Sequence, residues 1–379
     1  MIDAGHPLAW MAVAAAGAAV GRILTVAARP LLAVDPDGRP ARTDGRVARG
    51  VEIAAVLGAL ASWWWEVVPA ATAAVPPAIA PVTPLVARWA SHLVLFAFLA
   101  AAAWVDLRHR VIPDAITVPG VLAGLAWCGL APSLLLPITV EVPRSFADPL
   151  LEPDVLGPVG GLSLAAWPAW LGSWPAWTGL AAALAVFGGW WRGCTAPFRD
   201  PGSRRTGGMV VLGEPRNLVL VAGVLGITAA WCAGGLGWRG LLTGLVGLAA
   251  GAGMVWLVRI GASRALGREA MGFGDVTLMA MTGAWLGWQA SVLVCFLGVL
   301  IGAVHGMLRL SWHRGSELPF GPSLCLAAVL VVMGWRPLWE ASEFAFEQPQ
   351  DMAAVVMVVI VLTAVSLAIW RRFRPEAAA

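Results

Sequence analysis

Lysine and tyrosine are both missing from the 379 residues, and charged side chains make up only 12% of them. A soluble globular protein carries about 25% charged residues, so a soluble fold is excluded. The small net charge of +3 comes from arginines scattered between apolar stretches, and no basic face for nucleic acid is formed. The five cysteines (Cys128, Cys194, Cys232, Cys295 and Cys325) form no C-x-x-C pair, which argues against both a disulfide framework and a zinc site. His6, His92, His109, His305 and His313 are too dispersed to form a metal cluster, so neither a metal nor a cofactor is expected. The first residues carry no positive n-region, because Arg22 and Arg29 follow the first apolar run. That pattern predicts a retained first helix with its N-terminus outside.

What the chain has in abundance is apolar length. Hydrophobic residues are 59% of the total, and the mean hydropathy is +0.78. Windows of about 20 residues predict spans at 8–28, 51–69, 87–106, 114–137, 170–191, 218–237, 240–259, 275–288, 290–308, 320–335 and 352–370. The fold class is therefore an all-α polytopic membrane protein of about eleven helices, the eighth short enough to tilt or re-enter. No polar stretch is long enough to form a soluble domain, so residues 1–379 form a single membrane domain.

Loop charge gives the orientation. Arginine-rich loops (29–49, 108–110, 192–216, 259–268, 309–314 and the tail from Arg371) alternate with neutral or acidic ones holding Glu141, Asp148, Glu152, Asp154, Glu340, Glu343, Glu347 and Asp351. Because cytoplasmic loops carry the arginine excess, the pattern predicts N-out and C-in. Trp63 to Trp65 and Trp167, Trp170, Trp174 and Trp177 suit an aromatic belt at the outer interface.

Ionisable groups at the edge of a span are costly to bury and are the first functional candidates. Asp106 closes the third span in A-W-V-D-L-R-H-R-V-I-P-D, and Asp275 opens the eighth in A-M-G-F-G-D-V-T-L. Both fall at the cytoplasmic boundary. Two carboxylates within hydrogen-bond reach share a proton, one activating water while the other donates, as in aspartic proteases. Gly272 and Gly274 would let the backbone approach a partner closely and adopt positive φ. Taken singly, Asp275 reads equally as a helix N-cap after a glycine hinge. Asp106 reads as an interfacial carboxylate paired with Arg108 or Arg110.

Three motifs in order change that balance: D-x6-P-D-x2-T from Asp106 to Thr117; R-E-A-M-G-F-G-D with G-x-x-L-G-W-Q behind it, from Arg268 to Gln289; and L-P-F-G-P-S-L from Leu318 to Leu324. Together they resemble the type IV prepilin peptidases, membrane aspartic proteases of the G-x-G-D class. The likeness covers about residues 87–137, with the first aspartate, and 240–335, with the G-x-G-D and P-F-G-P motifs. Residues 138–239 hold no family motif and are set apart as an insertion with extra helices.

The resemblance implies catalytic roles for Asp106 and Asp275, and a prepilin or pseudopilin precursor as partner, met in the bilayer of the inner membrane with the site on the cytoplasmic side. Asp114 is expected to cap the fourth helix, with Thr117 in the same turn. Glu269 reads as a neighbour of the site or as a solvated loop residue. Pro319, Phe320, Gly321 and Pro322 read as a rigid loop near the site or as a proline-bounded helix start. Two departures stand out. Thr277 occupies a position where the family usually has lysine. The bifunctional members also carry paired C-x-x-C zinc ligands, linked to N-methylation, between their first two helices, whereas this chain has only a short loop without cysteine at 29–50. Cleavage without methyl transfer is the expectation. An inactive scaffold and an ion or proton transporter are the alternatives.

Overall fold

The computed structural model describes residues 6–32, 45–68, 82–132, 135–136, 168–195, 215–266, 271–311 and 320–346. Among the described residues every regular element is helical. In chain order these are α1 (Pro7–Leu32), α2 (Gly45–Glu66), α3 (Val82–His109), α4 (Asp114–Leu130), a 3-10 turn (Ala169–Leu171), α5 (Trp177–Thr195), α6 (Pro215–Ala233), α7 (Gly235–Leu266), α8 (Phe273–Leu286), α9 (Trp288–Ser311), α10 (Gly321–Met333) and α11 (Trp335–Phe346). The polytopic all-α membrane class is thus observed.

Ten of the expected spans coincide with α1 to α10. The span at 352–370, Glu269, Pro319, Trp167 and most of the loop at 29–50 lie outside the described residues. Among the described residues, five helices are long and apolar enough to cross a bilayer, or six with α10 and α11, which bend by 88° at Gly334, counted as one. The difference from about eleven has a physical reason. Helix α8 has 14 residues, a rise of about 21 Å against a hydrocarbon core of about 30 Å. Helices α4 and α10 are also short, and all three begin inside the bundle at one place, described below. Helix α11 was read as loop: Glu340 and Glu343 keep it below any span threshold.

The core is built around α8. Every residue from Asp275 to Leu286 is buried, in a stretch whose neighbours are mostly small. A Cβ at Gly244 would lie 3.0 Å from the Ala284 carbonyl oxygen, and Gly247 and Gly251 of α7 meet the backbone at Gly283 and Met279. Small residues let helix backbones touch where lipid supplies no hydrophobic drive. On the opposite side α4 offers Gly120 to Met281 and Gly124 to Trp285. Trp285 Nε1 also donates to the Gly120 carbonyl (2.8 Å) and Cys128 Sγ to that of Ala284 (3.2 Å).

Helices α1, α2 and α3 form a second cluster around Val13, Ala59, Trp63, Trp89 and Leu93. It contains a hydrogen bond between His92 Nδ1 and Glu66 Oε2 at 2.8 Å, and Trp89 Nε1 donates to Ser62 Oγ at 2.9 Å. His92 lies about 21 Å along α3 from Asp106. At the same far end of the bundle Trp64 and Trp65 are exposed, as an aromatic belt requires, while Trp63 is buried edge-on against Trp89. Trp170, Trp174 and Trp177 are exposed as well.

Candidate active site

Helix α3 ends one turn after Asp106. Arg110 adopts φ 54°, the left-handed conformation that closes a helix, and its N–H donates to the carbonyl of Asp106 at 2.8 Å. The turn sends the chain back, so that Ile112 packs under the aspartate. Pro113 then holds φ −78° and ψ 140° and starts α4.

Ile112 is the hinge of the site. A Cβ at Gly274 would lie 2.9 Å from Ile112 Cβ and 3.1 Å from its carbonyl oxygen. One at Gly321 would lie 2.8 Å from Ile112 Cδ1 and 2.5 Å from Asp106 Oδ2. The G-x-G-D loop, the start of α10 and the end of α3 therefore meet around one aliphatic side chain. Asp106 accepts a hydrogen bond from the Gly321 N–H, and its charge is felt at Asp275. The two carboxylates are 6% and 8% exposed, low enough that both depend on protein rather than water for partners. The first residues of α8 and α10 thus meet the Asp106–Ile112 segment that precedes α4.

Each expected site residue among the described ones has a place. Asp106, Gly274 and Gly321 come together around Ile112, and Asp275 follows Gly274 within electrostatic range of Asp106. Gly272 is the N-cap of α8 with φ −68°, and a Cβ there would find nothing nearer than 3.9 Å. The expectation of positive φ at Gly272 and Gly274 is corrected: Gly274 is needed for close approach, not for its dihedrals. Phe320 is the N-cap of α10, and Gly321 and Pro322 form its first turn, so the proline-bounded helix start is the observed form. The Phe320 ring lies against Gly302 of α9, where a Cβ would come within 3.1 Å. Asp114 is corrected from cap to first helical residue. Pro113 is the cap and makes no side-chain bond, because its fixed φ already sets the entry to the helix. Asp114 lies within electrostatic reach of Cys194 at the end of α5. Thr277, in the lysine's place, is buried and donates from Oγ1 to the Gly274 carbonyl at 3.0 Å.

Other residues at the site gave no signal in the sequence. Ile112 is one more aliphatic in an apolar chain. Cys325 of α10 lies within reach of both carboxylates, yet its spacing matches no cysteine motif. Arg259 is brought to the loop only by the fold.

Residues 215–307 match the Type IV leader peptidase family. The match covers 93 of the 379 residues. It contains α6, α7, α8 and Asp275, and it begins inside 138–239; Asp106 lies outside it. A prepilin leader peptidase/N-methyltransferase of Aeromonas salmonicida is 36% identical over 110 residues, which is 25% of this chain and 38% of the relative. One from Pseudomonas aeruginosa is 42% identical over 81 residues, covering 21% and 27%. One from Dickeya chrysanthemi is 36% identical over 117 residues, covering 26% and 41%. The chain thus spans well under half the length of these relatives. No solved structure matches.

Proposed function

We propose that the protein is a membrane-embedded aspartic endopeptidase that trims a type IV prepilin or pseudopilin-like precursor at the cytoplasmic face of the inner membrane. The observation that carries this reading is the convergence of Asp106 and Asp275, both buried, at the start of the α8 helix inside the family-matched stretch. One carboxylate removes a proton from water as its oxygen adds to the scissile carbonyl. The other, protonated, donates to the carbonyl oxygen. Collapse of the tetrahedral species breaks the C–N bond, and the leaving nitrogen takes the proton held by the first carboxylate.

The substrate class follows from depth. A precursor with a short basic leader and an apolar helix behind it places its scissile bond where the polar headgroups meet the hydrocarbon. The arginine pattern puts Asp106 and Asp275 at that level, with N-out and C-in as the orientation. The relatives' names include N-methyltransferase. For this chain we propose cleavage alone: no cysteine precedes Cys128, and the buried Cys128, Cys194 and Cys325 sit on three different helices.

Purified protein in detergent, given a prepilin-like peptide with S-adenosylmethionine present, tests both parts by intact mass. The expected product has a free N-terminal amine and forms unchanged in the presence of a chelator. A gain of about 14 mass units contradicts cleavage without methylation. A folded protein that never cuts returns the scaffold and transporter readings.

A further inference from the structure

Among the described residues, the loop that presents Asp275 is held from within by Thr277 Oγ1 on the Gly274 carbonyl and from the side by Ile112 against Gly274. Gly272 and Gly274 carry no side chains, and the N-cap of α8 makes no side-chain hydrogen bond. A helix start of this kind normally depends on a capping group to fix its entry. Here further contacts come from α7. Arg259 donates from Nε to the carbonyl oxygen of Met271 at 2.8 Å, and its guanidinium carbon lies 5.9 Å from the centroid of the Phe273 ring, within cation–π range. These two contacts bracket Gly272, one residue to either side. The far edge of the same ring faces α5, where a Cβ at Gly193 would lie 3.9 Å from Phe273 Cζ. Phe273 is therefore held between Arg259 and a helix of the stretch 138–239. Two residues later the chain reaches Asp275.

We propose that Arg259 is a positioning residue for Asp275, acting by gripping the G-x-G-D loop at Met271 and Phe273. The proposal rests on the endopeptidase reading for its consequence in rate, though not for the grip itself. Arg259 acts on the loop through Met271 and Phe273. Its part is to keep the first turn of α8 in register with Ile112 and Asp106, so that the second carboxylate meets the first. A displacement of about 1 Å at such a site costs about 100-fold in rate.

The chemistry of the side chain gives a discriminating test. In Arg259→Gln the amide nitrogen takes the position of Nε and keeps the bond to Met271, while the charge is lost. In Arg259→Lys a methylene stands there, so the charge is kept and the bond is lost. Arg259→Leu loses both. With a prepilin-like peptide, kcat should fall about 100-fold in Arg259→Leu with KM little changed, and the neutral Gln variant should be faster than the charged Lys variant. A Lys variant equal to or faster than the Gln variant overturns the proposal, as does wild-type kcat in all three. If Arg259→Leu does not accumulate as folded protein, the order of the Gln and Lys variants decides alone.

Amide hydrogen exchange over residues 271–276 separates this from the functional reading. Wild type and Arg259→Gln should protect the loop, and Arg259→Lys should open it. Equal protection in both variants overturns the grip. A wild-type chain that protects the loop and cuts nothing overturns the endopeptidase reading and leaves the grip standing.

Discussion

The two carboxylates reach the same place by opposite routes. Asp106 lies in the last turn of α3, a helix of 28 residues, and its position follows from that long element. A left-handed turn at Arg110 and the N–H of Gly321 complete its surroundings. Asp275 lies in the first turn of a 14-residue helix that is buried along its length, and a loop with two glycines delivers it. The lesson is that one side of the site is fixed by secondary structure and the other by packing. The Asp275 side should therefore be the more easily disturbed by residues outside the family's motifs.

The largest effects belong to both sides alike. Asp106→Asn and Asp275→Asn should each lower peptide cleavage by about 1000-fold or more, since a lone carboxylate supplies base or acid but not both; kcat on a prepilin-like peptide measures it. Next come the glycines. Gly321→Ala would drive a methyl group onto Asp106 Oδ2, and Gly274→Ala would drive one onto the Ile112 backbone; each should lose about 100-fold in kcat. Gly272→Ala, whose Cβ would make only ordinary contact at 3.9 Å from Gly274 N and 4.0 Å from Asp275 Oδ2, should stay near wild type. Equal losses at 272 and 274 would mean that the loop's dihedrals matter more than its contacts.

A third comparison sets the site against the far end of the bundle. Glu66→Ala leaves His92 buried without its hydrogen-bond partner, and leaving a buried polar group unsatisfied costs about 1–3 kcal/mol. Thermal melting in detergent should show that loss while kcat of the folded fraction is unchanged. The smallest effect is expected at Asp114→Asn. Asp114 is a first-turn residue with no capping bond to lose, and cleavage should remain substantial. A loss as deep as that of Asp106→Asn would mean that the first carboxylate has been misassigned.

Much of this was legible in the sequence because apolar length and motif order survive without coordinates. The ten helices from α1 to α10 came from apolar length, while the candidate roles of Asp106 and Asp275 and the candidate loop Phe320 to Pro322 came from the resemblance carried by the ordered motifs. What was not legible depends on approach between distant segments. The reason for glycine at 274 is a contact with Ile112, 162 positions away in the chain by subtraction, and nothing around either residue announces it. Arg259 looks like one more loop arginine until α7 is seen to continue past it to Leu266. Helix α11 escaped because its amphipathic sequence resembles an acidic loop. The cap at Pro113 escaped because Asp114 is the commoner capping type.

Whether Asp106 and Asp275 act as one unit is tested most directly by comparing the two single Asn variants with the double variant on the same peptide. Groups that work as a unit lose about as much singly as together. The predicted result is that Asp106→Asn, Asp275→Asn and the double variant share one residual rate while all three remain folded. Losses that multiply in the double variant, or a single variant that still cuts at the wild-type rate, would contradict a shared catalytic pair.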